Sequence, residues 1–187
     1  MVASAASAVI LPLPASVFSV SAVLAFAAIR NNDRVGLILF SNAIERYIPP
    51  RKGTTHVLRV IREVLSARPR NSGTQIEPAL EFLNRVTTRR TVAFLISDFL
   101  DDGYERALRI TAKRHDLIGV VVGDRRENSW PSAGLVDWVD AESGRRFLVD
   151  TSSAATRKAL ATLRADQRLA LLTMLRAADV DTMEVYA

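Results

Sequence analysis

Three stretches of the sequence are apolar without interruption: "VGLILF" at 35–40, "VAFLI" at 92–96 and "LIGVVV" at 117–122. A strand with one face in water alternates apolar and polar side chains. An unbroken run of β-branched and aliphatic residues must instead be covered on both faces, which is the situation of a parallel sheet clad by helices. Strands are therefore expected at 35–40, 91–97 and 117–122, adjacent and parallel in one sheet.

The segments between them have helical spacing. From Thr55 to Ala67, Val57, Leu58, Ile61, Val64 and Leu65 fall on one stripe, and Pro69 follows. In "SGTQIEPALEFLNRV", Ile76, Leu80, Leu83 and Val86 point inward, and Thr74 with Glu77 has the spacing of a capping box. Asp102 and Glu105 repeat that spacing ahead of a helix through about Arg114. Strand, helix, strand, helix, strand makes the fold class α/β: a three-layer, doubly wound, mostly parallel sheet.

The remaining chain fits around this frame. Residues 16–30, with Val17, Val20, Leu24, Ala27 and Ala28 at helical spacing, read as a buried helix. "IERYI" at 44–48 alternates like an edge strand, follows a hairpin at Ser41-Asn42, and is expected to stop at Pro49-Pro50. "GLVDWVDAESGRRFLVD" reads as two antiparallel strands around an acidic turn. A long helix over 153–178 would bury Leu160, Leu163, Leu171, Leu172 and Leu175, and "DVDTMEVYA" would form a last strand.

Composition narrows the function classes. The 187 residues, 49% hydrophobic and 24% charged, suit one domain with a substantial core. Twenty-five Lys and Arg against twenty Asp and Glu leave +5, but the arginines are scattered without aromatic interleaving and no recognition motif accompanies them, so no nucleic-acid partner is expected. With no cysteine, disulfides, thiolate zinc sites and cysteine nucleophiles are excluded, and a cytoplasmic location is expected. The first 29 residues are uncharged, yet Pro12 and Pro14 interrupt them and residues 17–29 are too short to span a bilayer, which takes about 20 residues. Neither a signal peptide nor a membrane span is expected.

The glycines form no dinucleotide or P-loop fingerprint, and no serine lies in a G-x-S-x-G elbow. His56, near a helix start, and His115, in a polar turn, read as surface residues rather than bases or metal ligands. Thr74, in the loop "NSGTQ", and Asp98, in "ISDF", remain as hard oxygen donors at the same edge of the expected sheet. That carboxyl edge is where open α/β sheets bind ligands, and a hydroxyl with a carboxylate suits part of a magnesium shell. Both residues also have purely local readings, Thr74 as a helix cap and Asp98 as an acceptor for the amides of its own turn. Asp101 and Asp102 read as helix-cap residues.

Taken together, "NNDRVGLILFSNAIERYIPPRKGTTHVLRVIREVL", "GTQIEPALEFL", "RRTVAFLISDFLDDGYERALRITAKRHDLIGVVVGD" and "GLVDWVDAESGRRFLVD" resemble the bacterial von Willebrand factor A-like proteins of the domain-of-unknown-function 58 family, over about residues 16–186. The resemblance implies a single von Willebrand factor A-type domain over 1–187 with a metal-ion-dependent adhesion site fed by three loops. The second loop supplies a threonine, matched by Thr74, and the third an aspartate, matched by Asp98. The first, D-x-S-x-S, has no counterpart in "MVASAAS", and its expected place falls at or before Met1. Residues 1–14 are accordingly expected to be atypical and the first strand and first metal loop missing, through an N-terminal truncation or as a metal-free variant. Magnesium binding should then be weak.

The resemblance further implies a non-catalytic protein-interaction module, an adaptor for a MoxR-type AAA+ ATPase. The rival is a metal-assisted hydrolase using Asp98 with Asp101 or Asp102, for which the sequence supplies no evident base or substrate pocket.

Overall fold

The computed structural model describes residues 6–12 (backbone), 33–68, 73–123, 132–139 and 145–186. The expected helix at 16–30 lies outside the described residues. In chain order the elements are β1 (Ala6–Pro12), β2 (Arg34–Phe40), β3 (Ile44–Arg51), α1 (Thr54–Ser66), α2 (Ile76–Val86), β4 (Val92–Ser97), α3 (Glu105–Arg114), β5 (Asp116–Gly123), β6 (Leu135–Val139), β7 (Arg146–Asp150), α4 (Ala154–Ala177) and β8 (Asp181–Tyr186).

Six strands form one sheet in the order β3-β2-β1-β4-β5-β8, while β6 and β7 pair as a separate antiparallel ribbon. All neighbours in the large sheet are parallel except β3 on β2. The three apolar runs thus share one sheet, as the sequence implies. Their adjacency is broken at one place: β1 lies between β2 and β4, with Val9 facing Leu37 on one side and Phe94 on the other. The expectation that the first strand is missing is therefore corrected. Its residues are "ASAVILP", which the apolar sequence pattern accommodates at the sheet's centre.

Side-chain alternation along the strands divides the core in two. One face carries Ile38, Phe40, Ala93, Leu95, Leu117 and Val121, covered by α2, α3 and the end of α4. The other carries Val35, Leu37, Leu39, Ile96, Val120 and Val122, covered by Val57, Val60 and Val64 of α1. These are the three layers of a von Willebrand factor A-type, Rossmann-like fold.

Three local expectations are revised. β3 runs through Pro49-Pro50 to Arg51, because an edge strand with shifted register tolerates residues that cannot donate to a ladder. Gly36 opposite makes this fit, since a Cβ there would lie 2.9 Å from Pro50 Cγ. On α1, Leu58 and Leu65 are 49% and 62% exposed rather than inward. On α4 only Leu175 is buried, Leu163 being exposed, because the helix packs onto the core through its last turns, where Leu171 and Met174 also touch it.

A strand hydrogen-bonded on both sides opens only with the whole sheet. Because β1 and β3 flank β2, the amides of residues 35–40 should exchange as slowly as those of β4. Hydrogen exchange read by mass spectrometry checks this, and fast exchange confined to 35–40 would argue against β1 at the centre.

Candidate functional site at the carboxyl edge

β2 and β4 both run parallel to β1, so their carboxyl ends meet on one edge. Ser41 follows β2 directly; its side chain is buried and its Oγ donates to Glu45 Oε1 at 2.8 Å. The Ser41 carbonyl accepts from Gln75 N at 2.9 Å, which brings the loop carrying Thr74 to the end of β2. The Ile76 amide donates to Asp101 Oδ2 at 2.7 Å, which ties the same loop to the segment after β4. Thr74 and Asp98 thus lie in neighbouring loops at one edge. Thr74 is half-buried and Asp98 exposed.

The turn after β4 explains why a carboxylate follows a buried strand. Phe99 has φ 58°, the left-handed region, which costs a bulky residue about 1–2 kcal/mol. Its ring is only 5% exposed and lies 6.2 Å from that of buried Tyr104, and burying a phenylalanine is worth about 1.5–3 kcal/mol. Burial therefore offsets the backbone cost. The buried Ser97 hydroxyl accepts from Phe99 N at 3.1 Å, and Asp98 Oδ1 accepts from Leu100 N at 3.4 Å. The apolar ring turns into the core and the preceding carboxylate remains at the surface.

Neither anticipated capping box forms. α2 begins at Ile76 with Gln75 as N-cap and no side-chain cap bond, and α3 has Tyr104 as N-cap, again without one. Each helix starts too late for the motif, and Asp101 takes the capping role at α2 from across the edge. The local reading of Asp101 as a cap is correct in kind but concerns the preceding helix, not its own. Burial first, and then the nearby carboxylates of Glu105, Asp101, Asp102 and Asp98, push the Tyr104 hydroxyl above its ordinary value.

A divalent cation would find Thr74 and Asp98 in adjacent loops. Among the described residues, however, no three His, Asp or Glu side chains converge as a metal-binding group. Residues 13–32, which follow β1, contain neither Asp nor Glu. The motif D-x-S-x-S does not occur in residues 1–32, where the first acidic residue of the chain, Asp33, has not yet been reached.

Residues 14–170 match the family described as "Protein of unknown function DUF58". The chain belongs to that family. An uncharacterized DUF58-like relative from Mycobacterium tuberculosis is 31% identical over 135 residues, which is 70% of this chain and 43% of the relative. The chain thus spans less than half the length of this relative. Among solved structures, BatB from Bacteroides thetaiotaomicron is similar with a TM-score of 0.59 at 16% identity, covering 96% of this chain and 89% of that one. An aerotolerance-related membrane protein from Bacteroides fragilis is similar with a TM-score of 0.57 at 16% identity, covering 96% and 90%. At that identity the likeness concerns the fold. Among the described residues no helix is long and apolar enough to cross a membrane.

The histidines differ from expectation. His56 is half-buried, its Nε2 2.9 Å from the Val35 carbonyl oxygen. His115 is only 2% exposed, not a surface residue, and neither ring nitrogen has a hydrogen-bond partner among the described residues. It follows α3 directly and is drawn inward with the start of β5. No sequence signal distinguishes it from an ordinary polar turn.

Two outcomes follow from these positions. Asp101→Ala should lower stability by about 0.5–2 kcal/mol through loss of the α2 cap, whereas Asp102→Ala should stay within about 0.5 kcal/mol. Urea denaturation midpoints compare them. At His115, burial first, and then Arg114 and Arg90 against the opposing Asp116, lower the pKa from its ordinary value. The unfolded chain then binds the proton more readily than the native one, so this residue's contribution holds above about pH 6.5 and falls as pH drops below it, at up to about 1.4 kcal/mol per pH unit. His115→Leu should flatten the stability profile between pH 6.5 and 5, measured by urea titrations at each pH.

Proposed function

We propose that this domain is a non-catalytic protein-interaction module that works as an adaptor for a MoxR-type AAA+ ATPase through its carboxyl edge. The observation that carries the proposal is Asp98: an exposed carboxylate presented by a rigid turn at the carboxyl end of a central strand. In the von Willebrand factor A pattern that edge is the docking face. The ATPase as partner rests on the family resemblance. A cytoplasmic site of action accords with it, because such a partner needs the cellular nucleotide pool.

The adhesion site is incomplete in this reading, with Thr74 and Asp98 the residues that would hold magnesium. The metal would supply an open coordination position for a carboxylate of the partner. With two protein donors, magnesium affinity falls in the millimolar range or weaker, on the scale by which ligand number and charge tune oxygen sites.

The hydrolase reading has less support. Of its two candidates for the second carboxylate, Asp101 is engaged by the Ile76 amide at 2.7 Å, a structural role that disfavours it as a general base, which leaves the exposed Asp102 as the partner that this reading would need.

The test is binding of the purified chain to the MoxR-type ATPase encoded in the same genome, with and without magnesium. Asp98→Ala should reduce binding at least tenfold while the circular dichroism spectrum and melting curve stay unchanged. Calorimetric titration should give a magnesium Kd of millimolar order or weaker. Unchanged partner binding in Asp98→Ala would remove this edge as the docking face, and micromolar magnesium affinity would mean that other residues complete the site.

A further inference from the structure

The opposite, amino-terminal edge of the sheet has a contrasting character. β3 runs antiparallel to β2 and returns to it there, Arg51 facing Val35, and α1 begins three residues later. The inward side of α1 is a row of valines, Val57, Val60 and Val64, each at most 6% exposed. Its outward side carries Leu58 and Leu65, about half or more exposed, with Arg59 and Arg62 exposed beside them. A spacing of seven residues is nearly two helical turns, so the two leucines share one line about 10 Å long.

The charge on this surface is one-sided. Arg51, Lys52, Arg59 and Arg62 line an open depression of about 710 Å³ together with Leu58, and among the described residues no carboxylate lines it. The only acid in α1 is Glu63, and Arg46 holds it at 3.0 Å on the flank toward β3. The first turn of α1 contains no acidic residue, so the positive end of the helix adds to the same field.

We infer that this α1 face is a peripheral docking surface for an anionic lipid bilayer, with Leu58 and Leu65 entering the headgroup boundary and Arg51, Lys52, Arg59 and Arg62 meeting lipid phosphates. A helix lying on a membrane has this composition: exposed apolar side chains along its line of contact and long basic side chains beside them, whose stems lie on the apolar region while their heads reach the phosphates. Charge complementarity selects an anionic surface. A nucleic acid would leave the leucines without a counterpart, and residues 51–68 contain no Phe, Tyr or Trp on which bases would stack. This surface is separate from the carboxyl edge, and its occupation does not depend on the function assigned to Asp98.

The test is co-sedimentation of the full chain with vesicles of phosphatidylcholine alone, or with 30% phosphatidylglycerol added. Binding should appear only with phosphatidylglycerol and weaken as salt rises. At about fivefold per basic residue removed, Arg59→Ala with Arg62→Ala should lower the partition coefficient about 25-fold. Leu58→Ser with Leu65→Ser should lower it by roughly tenfold. All four sites are exposed, and circular dichroism of each variant checks that the fold is kept. No binding, or equal binding to phosphatidylcholine alone, would overturn the proposal. So would an unchanged partition of the leucine variant, or displacement of the chain from vesicles by an equal charge of soluble polyglutamate, results that would assign the face to a soluble polyanion or an acidic protein segment.

Discussion

A parallel sheet clad on both faces has no water with which to satisfy its backbone, so each central strand must find hydrogen-bonding neighbours on both sides. β1 meets that condition between β2 and β4, and the positions of all other elements follow from it. With β1 in place, β2 and β4 are held in fixed register on either side. Their side chains then alternate into two separate cores. One is closed by the valine row of α1, the other by α2, α3 and the last turns of α4. The loops leaving β2 and β4 emerge beside each other because the strands that feed them run the same way.

The two edges of the sheet consequently differ in chemistry. At the carboxyl edge, backbone amides are consumed within the domain: Gln75 donates to Ser41, Ile76 to Asp101 and Phe99 to the Ser97 hydroxyl. These bonds make the edge rigid, and the carboxylates of Asp98, Asp102 and Glu105 stand exposed above it. At the amino edge, cations predominate around α1 and two leucines remain uncovered. The carboxylates after β4 and the cations around α1 thus stand at different places on the domain, which suits two contacts of unlike chemistry.

Much of this was legible from periodicity. The runs at 35–40, 92–96 and 117–122 are buried strands, the edge strand and ribbon lie where alternation puts them, and α2 turns Ile76, Leu80 and Leu83 inward as its spacing implies. β1 was harder to read, since "ASAVILP" is short, rich in small residues and set among prolines, and it has no polar boundary to mark it. Apolar periodicity also misjudged α1, where Leu58 and Leu65 share a pattern with Val57 and Val64 but face outward. A stripe of five apolar residues per helix is wider than the face that one sheet covers.

The sequence by itself determined the fold class, the family and the placement of Asp98 at the end of a buried strand, because these depend on the order and spacing of side chains along the chain. Only the tertiary structure decided which groups are already engaged. Asp101 caps a helix that starts 25 positions earlier, His115 is enclosed without a hydrogen-bond partner among the described residues, and Phe99 turns back into the core to leave Asp98 outside. Each of these is a contact between residues that the sheet brings together from distant parts of the chain. Local propensity contains no term for such contacts, since their energies exist only once the strands have paired.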